Sequence, residues 1–191
     1  MIATWPLNRA LPPFKPPGLF DDFTSYRIGV TQSAFGDWII AAGSFEVLAA
    51  AGGRLVSTGT SGPQSAYHSE LRLARSWSLR GTVLVTSGNA GVHWGCFTNT
   101  SLQNGYILGY NAGMLDIERG ATGEGITVLA SVAVPSNVAY RVLLTRCGKR
   151  LSLECGPLRI VASDTTFGDC PVLAAIGGTN SIYYAIQVAQ P

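Results

Sequence analysis

The sequence predicts an all-β protein, a two-sheet antiparallel β-sandwich of the jelly-roll type with an extended, proline-rich N-terminal arm. Three observations lead there. From Gly18 to Pro191, short runs rich in aliphatic, β-branched and aromatic residues alternate with Gly, Ser, Asn and Asp, and no helical pattern of ten residues interrupts them. Twelve or more such runs are too many for one open twisted sheet, so two packed layers are expected. Hydrophobic residues make up 47% of the 191 and charged residues 13%, against the ~25% charged of ordinary globular chains, which supplies one ample core and excludes disorder as the main state.

Residues 1–19 hold Pro6, Pro12, Pro13, Pro16 and Pro17, half of the ten prolines. Proline fixes φ and removes a backbone donor, so this segment is expected to be a stiff arm rather than part of a sheet. Trp5, Leu7, Leu11 and Phe14 give it apolar anchors that a solvated linker would lack. The sandwich then occupies 20–191. Strands are expected at 37–41, 45–50, 53–58, 67–75, 79–87, 90–97, 105–110, 113–119, 126–134, 158–162, 171–177 and 182–189.

The clearest local unit is a hairpin running from Tyr140 to Cys155 about Gly148-Lys149. A two-residue turn there sets Val142 opposite Cys155, Leu144 opposite Leu153 and Arg146 opposite Leu151. One face is then Val142, Leu144, Leu151, Leu153 and Cys155, and the other Arg141, Thr145, Ser152 and Glu154. Cys147 and Cys155 fall out of register, so no disulfide joins them, and all four cysteines, with Cys96 and Cys170, are expected as free buried thiols.

Thirteen basic and eleven acidic residues leave a net charge of +2, without the basic field that nucleic-acid binding needs. No apolar stretch is long enough for a membrane helix, and the N-terminus lacks the pattern of a signal peptide, so a protein made in a cytoplasm is expected. Eleven arginines against Lys15 and Lys149 suit a surface that meets other subunits, although genome composition explains the bias equally well.

Gly18-Leu19-Phe20-Asp21-Asp22-Phe23, Trp38-Ile39-Ile40, Gly43-Ser44-Phe45-Glu46-Val47 and Gly53-Arg54-Leu55 resemble the opening of the concanavalin A-like jelly rolls, the laminin-G-like and glucanase-like group. Ala90 to Trp94, Asn104 to Leu108, Met114 to Arg119, the 140–153 hairpin, Asp164 to Gly168 and the Ile182 to Val188 strand are similar to that group in kind and order. The resemblance covers about residues 18–190 and implies the fold; lectins, hydrolases and inert modules share it. In the group's retaining glucanases a strand carries acidic residues at i, i+2 and i+4. Here that strand is Met114, Asp116 and Glu118, and methionine cannot serve as the nucleophile, so no enzyme is expected.

Asp116 and Glu118 remain as polar strand residues able to hydrogen-bond a sugar. Trp94, Tyr106 and Tyr110 are the aromatic candidates for stacking on one, with core packing as the alternative. Alternation sends His93 and Trp94 to opposite faces, and His68 reads as surface or satisfied core. Oxygen-rich metal sites are conceivable only at Asp21-Asp22 or at Asp164 with Asp169, where turn capping competes; no metal or cofactor is expected. Together these features suggest a non-enzymatic subunit of a large assembly, a bacteriophage virion protein anchored by its arm to other structural subunits or to copies of itself. The alternative is a carbohydrate-binding module for a cell-surface glycan, with a glycoside hydrolase the remote third.

Overall fold

The computed structural model describes residues 18–26, 28–31, 33–48, 53–59, 62–85, 91–135 and 138–191. The arm anchors Trp5, Leu7, Leu11 and Phe14 lie outside these residues. In chain order the strands are β1 (Gly18–Asp21), β2 (Gly29–Thr31), β3 (Ala34–Phe35), β4 (Trp38–Ala42), β5 (Phe45–Leu48), β6 (Arg54–Ser57), β7 (Gln64–His68), β8 (Ser76–Val85) and β9 (Val92–Phe97). They continue as β10 (Gly105–Asn111), β11 (Met114–Ala121), β12 (Gly125–Ala133), β13 (Val138–Cys147), β14 (Arg150–Cys155), β15 (Leu158–Ser163), β16 (Val172–Gly177) and β17 (Ile182–Ala189). Among the described residues there is no helix.

Two antiparallel sheets result. One runs β15-β14-β13-β8-β17-β6-β5-β2, with β1 also on β17; the other runs β12-β11-β10-β9-β16-β7-β4-β3. The long β17 is shared along one edge, its start pairing with β6 and its end with β1. Gly18 and Leu19 therefore belong to the sandwich, opposite Ala189 and Val188. Two expected strands are displaced. The segment expected at 67–75 pairs only as β7, which ends at His68, because the His68 ring turns the chain: Nδ1 accepts from Leu71 N at 3.0 Å. The strand expected at 79–87 begins earlier, at Ser76, held by Cys147 opposite it.

The hairpin about Gly148 has the expected register, Val142 to Cys155, Leu144 to Leu153 and Arg146 to Leu151. Gly148 sits at φ 58°, the left-handed region that glycine enters without a Cβ penalty. Val142, Leu144, Leu151, Leu153 and Cys155 are all buried between the sheets. Ser152, on the other face, is buried too, bonded hydroxyl to hydroxyl with Thr145 at 2.6 Å.

The core is aromatic at its centre. Trp94 of β9 packs edge-on to Tyr183 of β17 at 5.1 Å and against Trp38 of β4 at 6.0 Å. Gly81 of β8 lies under this cluster, where a Cβ would press on Ile186 Cγ2 at 3.3 Å. Arg146 breaks the apolar pattern: it is 2% exposed, lies over the Tyr106 ring at 5.2 Å and donates from Nη2 to the carbonyls of Phe167 and Gly168. Guanidinium tolerates this site because its fork satisfies several fixed acceptors at once. Beside it Cys96 and Cys170 pair; the hydrogen bond from Cys96, helped by Arg146, holds the Cys170 thiol pKa below its ordinary value. All four cysteines are free, and three are buried, but Cys147 is exposed because its hairpin end reaches the rim of the sheet.

Candidate functional site

Trp94, Tyr106 and Tyr110 are buried at 1%, 1% and 3% exposure, facing the other sheet. Strand alternation places them in the core row of the eight-stranded sheet with Leu108, Leu115 and Ile117. This corrects the expectation that they stack on a sugar and matches the alternative of core packing. The Tyr106 hydroxyl is also committed, donating to Asp164 Oδ1 at 2.8 Å.

The opposite, outer face of the same sheet carries His93, Asp116 and Glu118. Register explains how they meet: Gly109 of β10 lies opposite both His93 of β9 and Asp116 of β11, so two side chains from non-adjacent strands face each other across a residue that has none. A Cβ on Gly109 would stand 2.3 Å from Val92 O, 2.7 Å from His93 Cα and 3.0 Å from His93 Cδ2. Glu118 is two residues beyond Asp116 on the same face, beside the irregularity where β11 slips against β12 between Ile117 and Glu118. Such bulges increase local twist and re-aim side chains.

All three are buried, His93 at 6%, Asp116 at 4% and Glu118 at 5% exposure. His93 Nε2 and Asp116 Oδ1 stand 3.4 Å apart, and neither atom makes a hydrogen bond. One ligand-type atom from each of the three residues lies within 4.8 Å of the others. Burial first, and the neighbouring Asp116 charge second, hold the Glu118 carboxyl above its ordinary value of 4.5, with His93 opposing. A carboxyl whose folded pKa exceeds its unfolded one favours folding while protonated, so that contribution is lost as pH rises from 4.5 through the folded value. Glu118→Gln in chelator-treated protein should remove this decline. The urea midpoint of the wild type should fall more steeply with pH than that of the variant, and parallel curves would refute the assignment.

The other sequence candidates are structural. Asp21 accepts from Phe23 N, from the Tyr26 hydroxyl and from Trp38 Nε1 at 2.8, 2.6 and 2.7 Å, and Asp22 caps Thr24. Asp164 is engaged by Tyr106, Arg119 and Thr166, whereas Asp169 is paired with Arg75. His68 is buried core, its ring edge-on to Trp38 at 5.3 Å. The grouping of His93 with Asp116 escaped sequence reasoning because 22 intervening residues separate them. The available signal was Gly109, an isolated glycine in a strand, which marks a close approach.

The fold defines an architecture, the two-sheet antiparallel β-sandwich. No protein-family model matches the chain, and no curated protein matches its sequence. Among solved structures it is similar to the carbohydrate-binding module CBM66 from Bacillus subtilis, with 15% identity, a TM-score of 0.62 and coverage of 80% of this chain and 94% of that one. It is also similar to the exoplasmic/lumenal domain of VIP36 in its form bound to Ca2+ and Man3GlcNAc, at 11% identity, TM-score 0.63 and 90% of each chain. A protein of unknown function with a galectin-like fold from Bacillus subtilis matches at 14% identity and TM-score 0.60, over 86% of this chain and 98% of that one. At these identities the likeness is one of fold. It gives no support to the expected virion subunit.

Proposed function

We propose that this chain is a carbohydrate-binding module without catalytic turnover, recognising a glycan on the outer face of the eight-stranded sheet. One observation carries this reading: a sandwich whose fold is similar to that of lectins gathers two carboxylates and an imidazole, Asp116, Glu118 and His93, into one cluster, 4–6% exposed, on the outer side of that sheet rather than in the core between the sheets. Carboxylates accept charge-assisted hydrogen bonds from sugar hydroxyls, which are stronger than neutral ones and strongly directional. Asn111, on the same strand face of β10 and half-buried, extends the polar rim. Against turnover, Met114 stands on β11 where a retaining glycosidase would need its nucleophile.

The test is a glycan array with wild type, Asp116→Asn and Glu118→Gln, followed by titration of each hit. Loss of one charge-assisted hydrogen bond, about 1.5–3 kcal/mol, should weaken a true ligand by roughly tenfold or more. No new reducing ends should appear on prolonged incubation. A wild type that binds no glycan, or hits that bind both variants with unchanged affinity, would overturn the proposal.

A further inference from the structure

We propose that His93, Asp116 and Glu118 form a site for a divalent first-row transition-metal ion, zinc being the best fit. The proposal does not rest on glycan binding. It starts from two orphaned atoms: His93 Nε2 and Asp116 Oδ1 are buried, face each other at 3.4 Å and make no hydrogen bond. Buried polar atoms are rarely left so, because each unsatisfied group costs its desolvation. Two ligands bound about 2.1 Å from a tetrahedral zinc ion stand about 3.4 Å apart, so one ion between them would satisfy both. Octahedral coordination at the same bond length would bring them to about 3.0 Å.

Glu118 completes the set, its carboxylate within 4.8 Å of the other two ligand atoms. The donor chemistry narrows the ion. Calcium and magnesium take oxygen ligands, whereas imidazole suits zinc and its neighbours. A dication would also neutralise two carboxylates held side by side in a desolvated place, which otherwise repel. Three protein ligands leave a tetrahedral ion one further position, the arrangement that admits an external oxygen donor. The site needs Gly109, since a Cβ there would collide with the backbone at Val92 O and His93 Cα and crowd the His93 ring.

Chelator-stripped full-length protein is titrated with zinc by calorimetry and with cobalt by visible absorption, in the absence of any sugar. One equivalent is expected to bind, with a tetrahedral cobalt spectrum free of sulfur charge transfer. His93→Gln and Asp116→Asn should each weaken binding by at least the roughly 10–100-fold that even outer-shell changes cause. Absence of stoichiometric binding overturns the proposal, as does affinity unchanged in both variants. A sulfur signature does too, since it would place the ion on Cys96, Cys147, Cys155 or Cys170. The cobalt spectrum is read on wild type, so it decides even where a variant misfolds. Glycan binding that survives chelation would leave the carbohydrate reading standing when the metal site has failed, and the converse result separates them equally well.

Discussion

Trp94→Ala should lower stability by about 3–5 kcal/mol, the cost of truncating a large buried aromatic, and lower Tm by roughly 10 °C or more. The indole is 1% exposed and joins both sheets through Trp38 of its own layer and Tyr183 of the other. Truncation removes these contacts together and leaves a cavity that rigid, hydrogen-bonded strands cannot close. The measurement is urea and thermal unfolding of variant and wild type. Glycan titration of the folded fraction supplies the contrast: affinity per folded molecule should be unchanged. If Trp94 were a sugar platform, the opposite pattern would appear, with stability nearly intact and binding lost. That result would place the ring outside the core and contradict the structure directly.

Gly109→Ala should cost about 3 kcal/mol, at the upper end of ordinary overpacking, because the added methyl meets backbone rather than a flexible side-chain tip. Its contacts would be Val92 O at 2.3 Å and His93 Cα at 2.7 Å, so β9 must move away from β10. The same shift pulls His93 from Asp116, and the variant should lose metal and glycan binding together even at temperatures where it remains folded. Unfolding curves and zinc titration on one preparation check both parts. Gly113→Ala is the control: its φ of 88° strains any side chain, yet a Cβ there meets nothing within 4 Å, so it should destabilise without altering the site. A Gly109→Ala protein with wild-type stability would show that the strands are not in the close pairing described.

Much of the fold was legible in the sequence for a local reason. The Tyr140 to Cys155 hairpin closes through two residues, so turn chemistry and period-two burial set its register without reference to the rest of the chain. The opposed orientation of His93 and Trp94 was equally legible, because alternation on a strand is a property of the backbone. Less was legible where burial and charge disagree. Arg146 sits in a row of leucines, and only the carbonyls of Phe167 and Gly168, brought over from a distant loop, make its burial tolerable. Cys147 reads as one more apolar strand residue, yet it is exposed at the rim.

By itself, then, the sequence determined the class of fold and most strand positions, which follow from residue type and local period. Tertiary structure alone decided which face the aromatic residues take. It also decided which acidic residues have spare oxygens: Asp21 and Asp164 are consumed by donors from other elements, whereas Asp116 meets His93. The physical reason is that strand alternation separates neighbours while sheet pairing joins residues distant in the chain. Which residues are joined depends on a register that Gly109, Val92 and the bulge beside Glu118 set only when the whole sheet is assembled.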